Sequence, residues 1–155
     1  MKIGFGFDAH ELVEGKPLKL GGVSIDFPAG LRGHSDGDVV LHAVCDAILG
    51  ACAMGDIGIY FRDDDKKIEG IDSRKILEFV LGVASECKLR ISNVDLVIVA
   101  DQPKLSPMYQ RIRDSISSAC HVLPDRVSVK SKSTEGTLVN RTAIACFAVV
   151  LMDEN

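Results

Sequence analysis

The segment from Asp38 to Met54 constrains the fold of this chain of 155 residues most strongly. Its residues are almost all apolar and compatible with a helix, and Gly55 ends the segment. A helix that is apolar nearly all round has to be buried. The rest of the chain must therefore enclose this helix, and 155 residues can do so as one domain, 1–155, without a disulfide or a structural metal.

The remaining apolar segments predict the elements that enclose it. Strands are expected at 3–7, 94–100, 127–132 and 142–152, with a bent strand or hairpin at 18–27. Further helices are expected from 72–73 to about 87, and from an N-cap at Ser106, followed by Pro107, to about 121. Segments 30–37 and 56–70 have loop composition. We predict an α+β fold, a small mixed β-sheet with helices packed on one face. Because apolar residues occur on both sides of the strands, an uncovered face should pack against another copy.

Composition excludes several classes of function. The net charge of -4 gives no basic surface for nucleic acid or membrane, so we expect neither as a partner. The longest apolar run, 143–152, is too short to span a bilayer, and the N-terminus does not have the pattern of a signal peptide. The five cysteines include no Cys-x-x-Cys pair, which is typical of a reducing compartment. We therefore expect a cytoplasmic protein, or a plastid protein in its mature form.

Three residues form a candidate metal site. Asp8 and His10 are two apart at the end of a predicted strand, so their side chains point to the same side. On the apolar helix, Asp38, His42 and Asp46 follow one another at intervals of four and form a buried polar stripe, which needs partners. His42 could be a hydrogen-bonded core histidine. With Asp8 and His10 it could equally complete a three-ligand site, which for zinc leaves the fourth position to substrate.

Four loops carry candidate substrate contacts. His34 and Ser35 precede the apolar helix, where backbone N–H groups favour phosphate. The segment 56–65 is acidic but contains Phe61, which a solvated acidic loop does not explain. Loop 100–106 connects a buried strand to a helix, as many ligand-binding loops do. Segment 130–136 combines two lysines, hydroxyl groups and Glu135, which suits a diphosphate and its Mg²⁺.

Taken in this order, the segments resemble the 2-C-methyl-D-erythritol 2,4-cyclodiphosphate synthase family over essentially the whole chain. The matching motifs are Gly4-Phe5-Gly6-Phe7-Asp8-Ala9-His10, Gly33-His34-Ser35-Asp36-Gly37-Asp38, His42, Gly55-Asp56-Ile57-Gly58, Asp72-Ser73-Arg74, Asn93-Val94-Asp95, Pro103-Lys104, Ser133-Thr134-Glu135 and Ile144-Ala145-Cys146. As a set, the Asp-x-His pair, the His-Ser-Asp-Gly-Asp motif and the histidine after it are specific for this family.

The resemblance implies a homotrimer with active sites between subunits. The implied reaction converts 4-diphosphocytidyl-2-C-methyl-D-erythritol 2-phosphate to the cyclodiphosphate and CMP. The implied metals are Zn²⁺, or another divalent transition metal, at Asp8, His10 and His42, and Mg²⁺ or Mn²⁺ at Glu135. His34 and Ser133 match positions that steady the reacting phosphates. The predicted substrate-binding residues are Ser35, Asp56, Ile57, Gly58, Phe61, Asp63, Asp65, Ala100, Asp101, Pro103, Lys104, Leu105, Ser106, Lys132, Thr134 and Arg141.

The sequence departs from the family near its C-terminal end. The segment between Glu135 and Ile144 is about two residues shorter than usual, Val139 stands where the family has an aromatic residue, and Ser133 replaces a threonine. Two other functions use the same ligands. A metal-dependent phosphatase or phosphodiesterase would attack with water and release a linear product. A trimeric binding or scaffold protein would use the metal structurally.

Overall fold

The computed structural model describes residues 1–62, 69–137 and 142–154 of the chain. Its strands are β1 (Lys2–Glu14), β2 (Leu18–Leu20), β3 (Val23–Ile25), β4 (Ala29–Leu31), β5 (Leu89–Val99), β6 (Val127–Lys132) and β7 (Ala143–Glu154). Its α-helices are α1 (Val39–Ala51), α2 (Ile57–Tyr60), α3 (Ser73–Glu86) and α4 (Tyr109–Ala119). In the described part of the chain, none of the helices combines the length and apolar character that crossing a membrane requires.

The main sheet is mixed, as predicted, with strand order β4-β1-β7-β5-β6. Strands β1 and β5 both run antiparallel to β7, while β6 runs parallel to β5. Consequently β1, β5 and β6 point the same way and direct their C-terminal ends to one end of the sheet. Strands β2 and β3 form a separate hairpin that turns at Gly21 and Gly22, both at positive φ, which confirms the predicted break there.

The two faces of the sheet have different surroundings. Helix α1 packs on β1 and β7, and the alternate residues of β1 that face it include Gly4 and Gly6, both buried. A Cβ atom at Gly4 would lie 1.7 Å from the carbonyl oxygen of Ala47, and one at Gly6 would lie 2.0 Å from that of Ala43. Helix and strand therefore meet backbone against backbone, which only glycine permits. This packing places the helices on one face, as predicted.

On the opposite face of β1, Ile3, Phe5 and Phe7 are 68%, 62% and 46% exposed. Phe147 of β7 lies beside them, its ring centroid 4.8 Å from that of Phe7 and 6.2 Å from that of Phe5. An exposed apolar and aromatic patch of this kind is typical of an interaction surface. We call this set of residues, with Val149, the open face.

The buried carboxylate of Asp38 fixes the start of α1. It caps the helix by accepting hydrogen bonds from the backbone N–H groups of Val40 and Leu41, both at 3.1 Å. The same carboxylate accepts from the N–H groups of Gly21 at 2.8 Å and Gly22 at 2.6 Å. One side chain thus satisfies donors from the helix and from the β2–β3 hairpin, and it locks these two elements together.

Some predicted boundaries were wrong. The segment 30–37, predicted as a loop, begins inside strand β4, which pairs with the end of β1. The segment 56–70 contains the short helix α2, which was predicted as loop. Ser106 is not an N-cap: residues Ser106–Met108 form a 3₁₀ turn, and α4 follows from Tyr109 without a side-chain cap. The predicted cap at Asp72 is confirmed, because its side chain accepts from the N–H of Arg74 at 2.9 Å.

Candidate metal centre and substrate cavity

Asp8, His10 and His42 converge, as their spacing predicts. Asp8 and His10 lie on the α1-facing side of β1, and His42 lies on the first turn of α1. Oδ2 of Asp8 is 3.0 Å from Nε2 of His10 and 2.9 Å from Nδ1 of His42. One ligand atom from each residue lies within 4.8 Å of the others, so the group could hold a metal ion.

The surroundings of His10 support metal binding over a purely structural role. Its Nε2 is shielded from solvent and, in the described part of the chain, has no hydrogen-bond partner. The 3.0 Å approach of Asp8 does not have hydrogen-bond geometry, so it does not satisfy this nitrogen. A buried polar atom without a partner is rare and costly, whereas a metal ion would use its lone pair. A carboxylate and two imidazoles suit Zn²⁺ and other divalent transition metals.

The three side chains also shift one another's protonation. Burial raises the pKa of Asp8, but the neighbouring imidazoles of His10 and His42 outweigh burial and hold this pKa well below its usual range. Burial lowers the pKa of His42, but the Asp8 carboxylate outweighs burial, so the net shift is upward. The Asp8 carboxylate is therefore ionised and able to bind a cation, whereas a proton competes with a metal ion for His42.

A cavity of about 570 Å³ opens beside the metal centre. Nine of the predicted site residues line it: Asp8, His10, His34, Ser35, His42, Asp56, Ile57, Gly58 and Phe61. The structure therefore brings together the predicted metal ligands, the loop before α1 and the segment at α2. Four other residues line the cavity that were not predicted as site residues: Arg32, Gly33, Asp46 and Ile76. The sequence does indicate a role for Asp46, because this residue belongs to the polar stripe of α1. No sequence pattern indicates Arg32 or Ile76.

Asp46 holds α2 against the cavity. Its Oδ1 accepts a hydrogen bond of 2.9 Å from the N–H of Ile57, the first residue of α2. Burial raises the pKa of Asp46, although this hydrogen bond opposes the shift. At the other end of α2, the ring of Phe61 packs edge-on against Phe79, with centroids 5.3 Å apart. Anchored at both ends, α2 presents Asp56 and Gly58 to the cavity.

A second group of predicted residues lies at the C-terminal ends of β5 and β6. The carboxylate of Asp101 accepts hydrogen bonds from the backbone N–H of Thr134 at 2.7 Å and from its hydroxyl at 2.9 Å. The N–H of Ala100 donates to the carbonyl of Lys132 at 2.9 Å, and the peptide bond before Pro103 is cis. Leu105 is buried, whereas Lys104 and Ser106 are exposed. These contacts fix loop 100–106 against the segment after β6.

Ser133 and Glu135 belong to this second group. The hydroxyl of Ser133 donates to Oε1 of Glu135 at 2.5 Å, and both residues are exposed. None of the described residues of the second group lines the metal cavity. The described residues therefore present two separate groups of predicted site residues at the same end of the sheet, one lining the metal cavity and one around Asp101 and Glu135. Asp63, Asp65 and Arg141, which were also predicted to bind substrate, lie outside the described residues.

Comparisons with known proteins agree with this geometry. The YgbB family model matches residues 1–153. The chain is 48% identical to the 2-C-methyl-D-erythritol 2,4-cyclodiphosphate synthase of Pelotomaculum thermopropionicum, over 98% of the chain and 95% of that protein. It is 49% identical to the synthase of that name from Aquifex aeolicus, over 98% of this chain and 97% of that protein. A solved synthase structure in a CDP-bound form superimposes with a TM-score of 0.92 at 37% identity, covering 98% of this chain and all of that one. The chain therefore belongs to the YgbB family, the family of the 2-C-methyl-D-erythritol 2,4-cyclodiphosphate synthases.

Proposed function

We propose that residues 1–155 form a single cyclodiphosphate synthase domain that converts 4-diphosphocytidyl-2-C-methyl-D-erythritol 2-phosphate to 2-C-methyl-D-erythritol 2,4-cyclodiphosphate and CMP. The observation that carries the proposal is the convergence of Asp8, His10 and His42 at a cavity lined by predicted substrate-binding residues. Nε2 of His10 has no hydrogen-bond partner among the described residues, which supports a metal ion there. The reaction belongs to isoprenoid-precursor biosynthesis. The five free cysteines support a reducing, cytoplasmic location.

The residues suit a reaction that needs no protein nucleophile. The 2-phosphate of the substrate is itself an anionic nucleophile, so its attack on the β-phosphorus brings negative charge onto negative charge. A divalent ion bound at Asp8, His10 and His42 would supply Lewis-acid polarisation of the attacked phosphate. His34 and Ser35, at the cavity wall, would orient the reacting phosphates. Asp56, with the backbone of Ile57 and Gly58, would hold the methylerythritol hydroxyls.

The second group of predicted residues, around Asp101 and Glu135, suits the binding of CMP, the leaving group of the reaction. Glu135 is an exposed carboxylate next to Ser133, and Mg²⁺ commonly binds one such carboxylate together with substrate phosphates. We propose that Glu135 holds Mg²⁺ or Mn²⁺ there and that Ser133 steadies the diphosphate. Lys132 and Arg141 would add phosphate contacts, and the buried Thr134, which donates to Asp101, would hold this segment in position. Loop 100–106 would bind the cytidine moiety, with Lys104 exposed at its rim and Leu105 fixing the loop in the core.

We further propose that the chain is a homotrimer whose active sites combine half-sites from neighbouring subunits. The open face supports this assembly, because packing against other copies would remove the exposed apolar side chains of Ile3, Phe5 and Phe7 from water. The separation of the two groups within one chain supports it as well, since none of the described residues of the second group lines the metal cavity. The small-molecule cytidine diphosphate substrate would then bridge two subunits.

The reaction is tested by ³¹P NMR of the purified protein with the substrate, Zn²⁺ and Mg²⁺. Two mutually coupled cyclic-diphosphate resonances should appear together with CMP. Inorganic phosphate or a linear product would instead support a hydrolase. His42→Ala should give a protein that is folded but inactive. Loss of folding in this variant would identify the metal as structural and would favour the scaffold alternative.

The shared active site is tested by co-expressing two inactive variants, His42→Ala and Glu135→Gln, with different affinity tags. In every mixed trimer, one of the three sites, or about one third, would combine an intact metal half-site with an intact Glu135 half-site. Mixed trimers should therefore recover activity that both parents lack. If each site were built within one chain, every site would carry one defect, and the mixture would stay inactive.

A further inference from the structure

Ser73 lies directly behind the metal ligand His42. It is the first residue of α3 and is fully buried. Its hydroxyl oxygen lies 2.9 Å from Nε2 of His42, and it donates a hydrogen bond of 2.5 Å to Oδ1 of Asp36. A serine at this position could cap its helix, but here Asp72 is the cap. The hydroxyl of Ser73 therefore serves the two side chains that it contacts.

The chemistry of the three groups fixes the position of each proton. A carboxylate only accepts hydrogen bonds, so the single hydroxyl proton of Ser73 goes to Asp36. Towards His42, the hydroxyl can then only accept, and Nε2 must carry a proton. Without a metal, Nδ1 of His42 also carries a proton, which it donates to Oδ2 of Asp8 at 2.9 Å. When a metal ion takes the place of that proton, the proton on Nε2 remains and the lone pair of the neutral ring lies on Nδ1. This is the tautomer that a metal bound beside Asp8 requires.

Lys19 completes the chain of contacts. Its ammonium group lies 3.2 Å from Oδ2 of Asp36, the oxygen that Ser73 does not use. The ion pair with Lys19 holds the carboxylate in place, with its other oxygen turned towards Ser73. Ser35 also approaches Nε2 of His42, at 3.1 Å, but its hydroxyl is not committed to a carboxylate and accepts from the N–H of Gly37 at 3.2 Å. The direction of the His42 hydrogen bond is therefore set by Ser73.

We infer that Ser73 is a positioning residue of the metal centre, which acts through the series Lys19, Asp36, Ser73 and His42 to hold the His42 ring in the metal-binding tautomer. The inference rests on the proposed metal site. Partners of this kind around a metal ligand typically change metal affinity by about 10- to 100-fold. A role limited to packing at the start of α3 would change stability and leave metal affinity unchanged.

The test compares Ser73→Ala with Ser117→Ala. Ser117 is a matched control, because it is also buried and its hydroxyl bonds only to a backbone carbonyl, that of Val122, at 2.7 Å, within the α4 region. Zn²⁺ affinity is measured by competition with a chromophoric chelator. Ser73→Ala should weaken binding by about 10- to 100-fold, and Ser117→Ala by less than about twofold. In the zinc-loaded wild type, long-range ¹H–¹⁵N spectra should show a proton on Nε2 of His42.

The outcomes separate the two claims. If wild-type protein binds no Zn²⁺, the proposed metal site fails. If wild type binds Zn²⁺ while Ser73→Ala binds it equally well, or if Nδ1 carries the proton in the loaded wild type, the inference fails. If Ser73→Ala does not fold, Lys19→Met replaces it, since Lys19 is only partly buried. That variant should lose Zn²⁺ affinity severalfold, and unchanged affinity would overturn the inference.

Discussion

Replacing Gly6 by alanine should damage both the stability of the protein and its metal centre. The new Cβ would lie 2.0 Å from the carbonyl oxygen of Ala43, whereas an ordinary contact begins at 3.4 Å. Strand and helix would have to separate by about 1.4 Å, and neither backbone can rotate away as a side chain could. Overpacking of this kind costs about 1–3 kcal/mol and occasionally more, and we expect about 3 kcal/mol or above here.

The same displacement would move a metal ligand. Ala43 follows His42 directly, while Gly6 is two residues before Asp8, so the separation acts on both sides of the centre. An error of about 1 Å in the position of a reacting group can cost about 100-fold in activity. We therefore expect Gly6→Ala to weaken Zn²⁺ binding in proportion to its loss of stability.

The assay is urea unfolding at one fixed protein concentration, followed by chelator competition for Zn²⁺. Gly82→Ala is the matched control: Gly82 lies inside α3, and a Cβ there would meet nothing within 4 Å. Since alanine favours helix over glycine, this control should gain up to about 1 kcal/mol. The same substitution should thus have opposite signs at the two positions. A Gly6→Ala loss below about 1 kcal/mol would refute the backbone-to-backbone packing.

Three further predictions concern single carboxylates and pH. Asp38→Ala removes the acceptor of four backbone N–H groups, two of them in the hairpin, and should cost at least about 2 kcal/mol in urea unfolding. Asp101→Ala leaves the buried Thr134 without its acceptors and should cost about 2–4 kcal/mol by the same assay, without changing Zn²⁺ affinity. Because the pKa of His42 is raised in the metal-free protein, its stabilising contribution is complete below the unfolded-state pKa and is lost as pH rises through the folded-state pKa. Zn²⁺ affinity should change in the opposite direction, falling as acid protonates His42, and thermal unfolding across pH with and without Zn²⁺ measures both effects.

Periodicity predicted the parts of the fold that packing dictates. The apolar segment after Asp38 is a buried helix, and the predicted strand at 127–132 coincides with β6. The elements that were missed are short. Strand β4 and helix α2 contain three and four residues, and tertiary hydrogen bonds hold them, from β1 and from Asp46 respectively. Such elements have no period long enough to detect in the sequence.

The part of the candidate site that could be predicted is the part set by the local geometry of a single strand or helix. The spacing of Asp8 and His10, and the polar stripe containing His42, indicate a shared position because strand and helix geometry fix the directions of these side chains. Arg32 and Ile76 line the cavity only because the tertiary fold brings their segments there, and no local pattern identifies them. The hydrogen bond from Ser73 to Asp36 joins residues 37 positions apart, so its role behind His42 required the structure as well.

The alternation along β1 has a consequence for how this protein can vary. Gly4, Gly6, Asp8 and His10 face the helices, and Ile3, Phe5 and Phe7, between them, form part of the open face. Inserting or deleting one residue between Phe7 and Asp8 would turn one of the two sets to the opposite face, because side chains alternate with a period of two. Either the phenylalanine rings would be driven into α1 or the metal ligands would turn outward, depending on which part of the strand kept its pairing with β7. The outward residues can therefore be replaced one at a time, whereas the number of residues in this part of the strand cannot change without displacing one of the two sets.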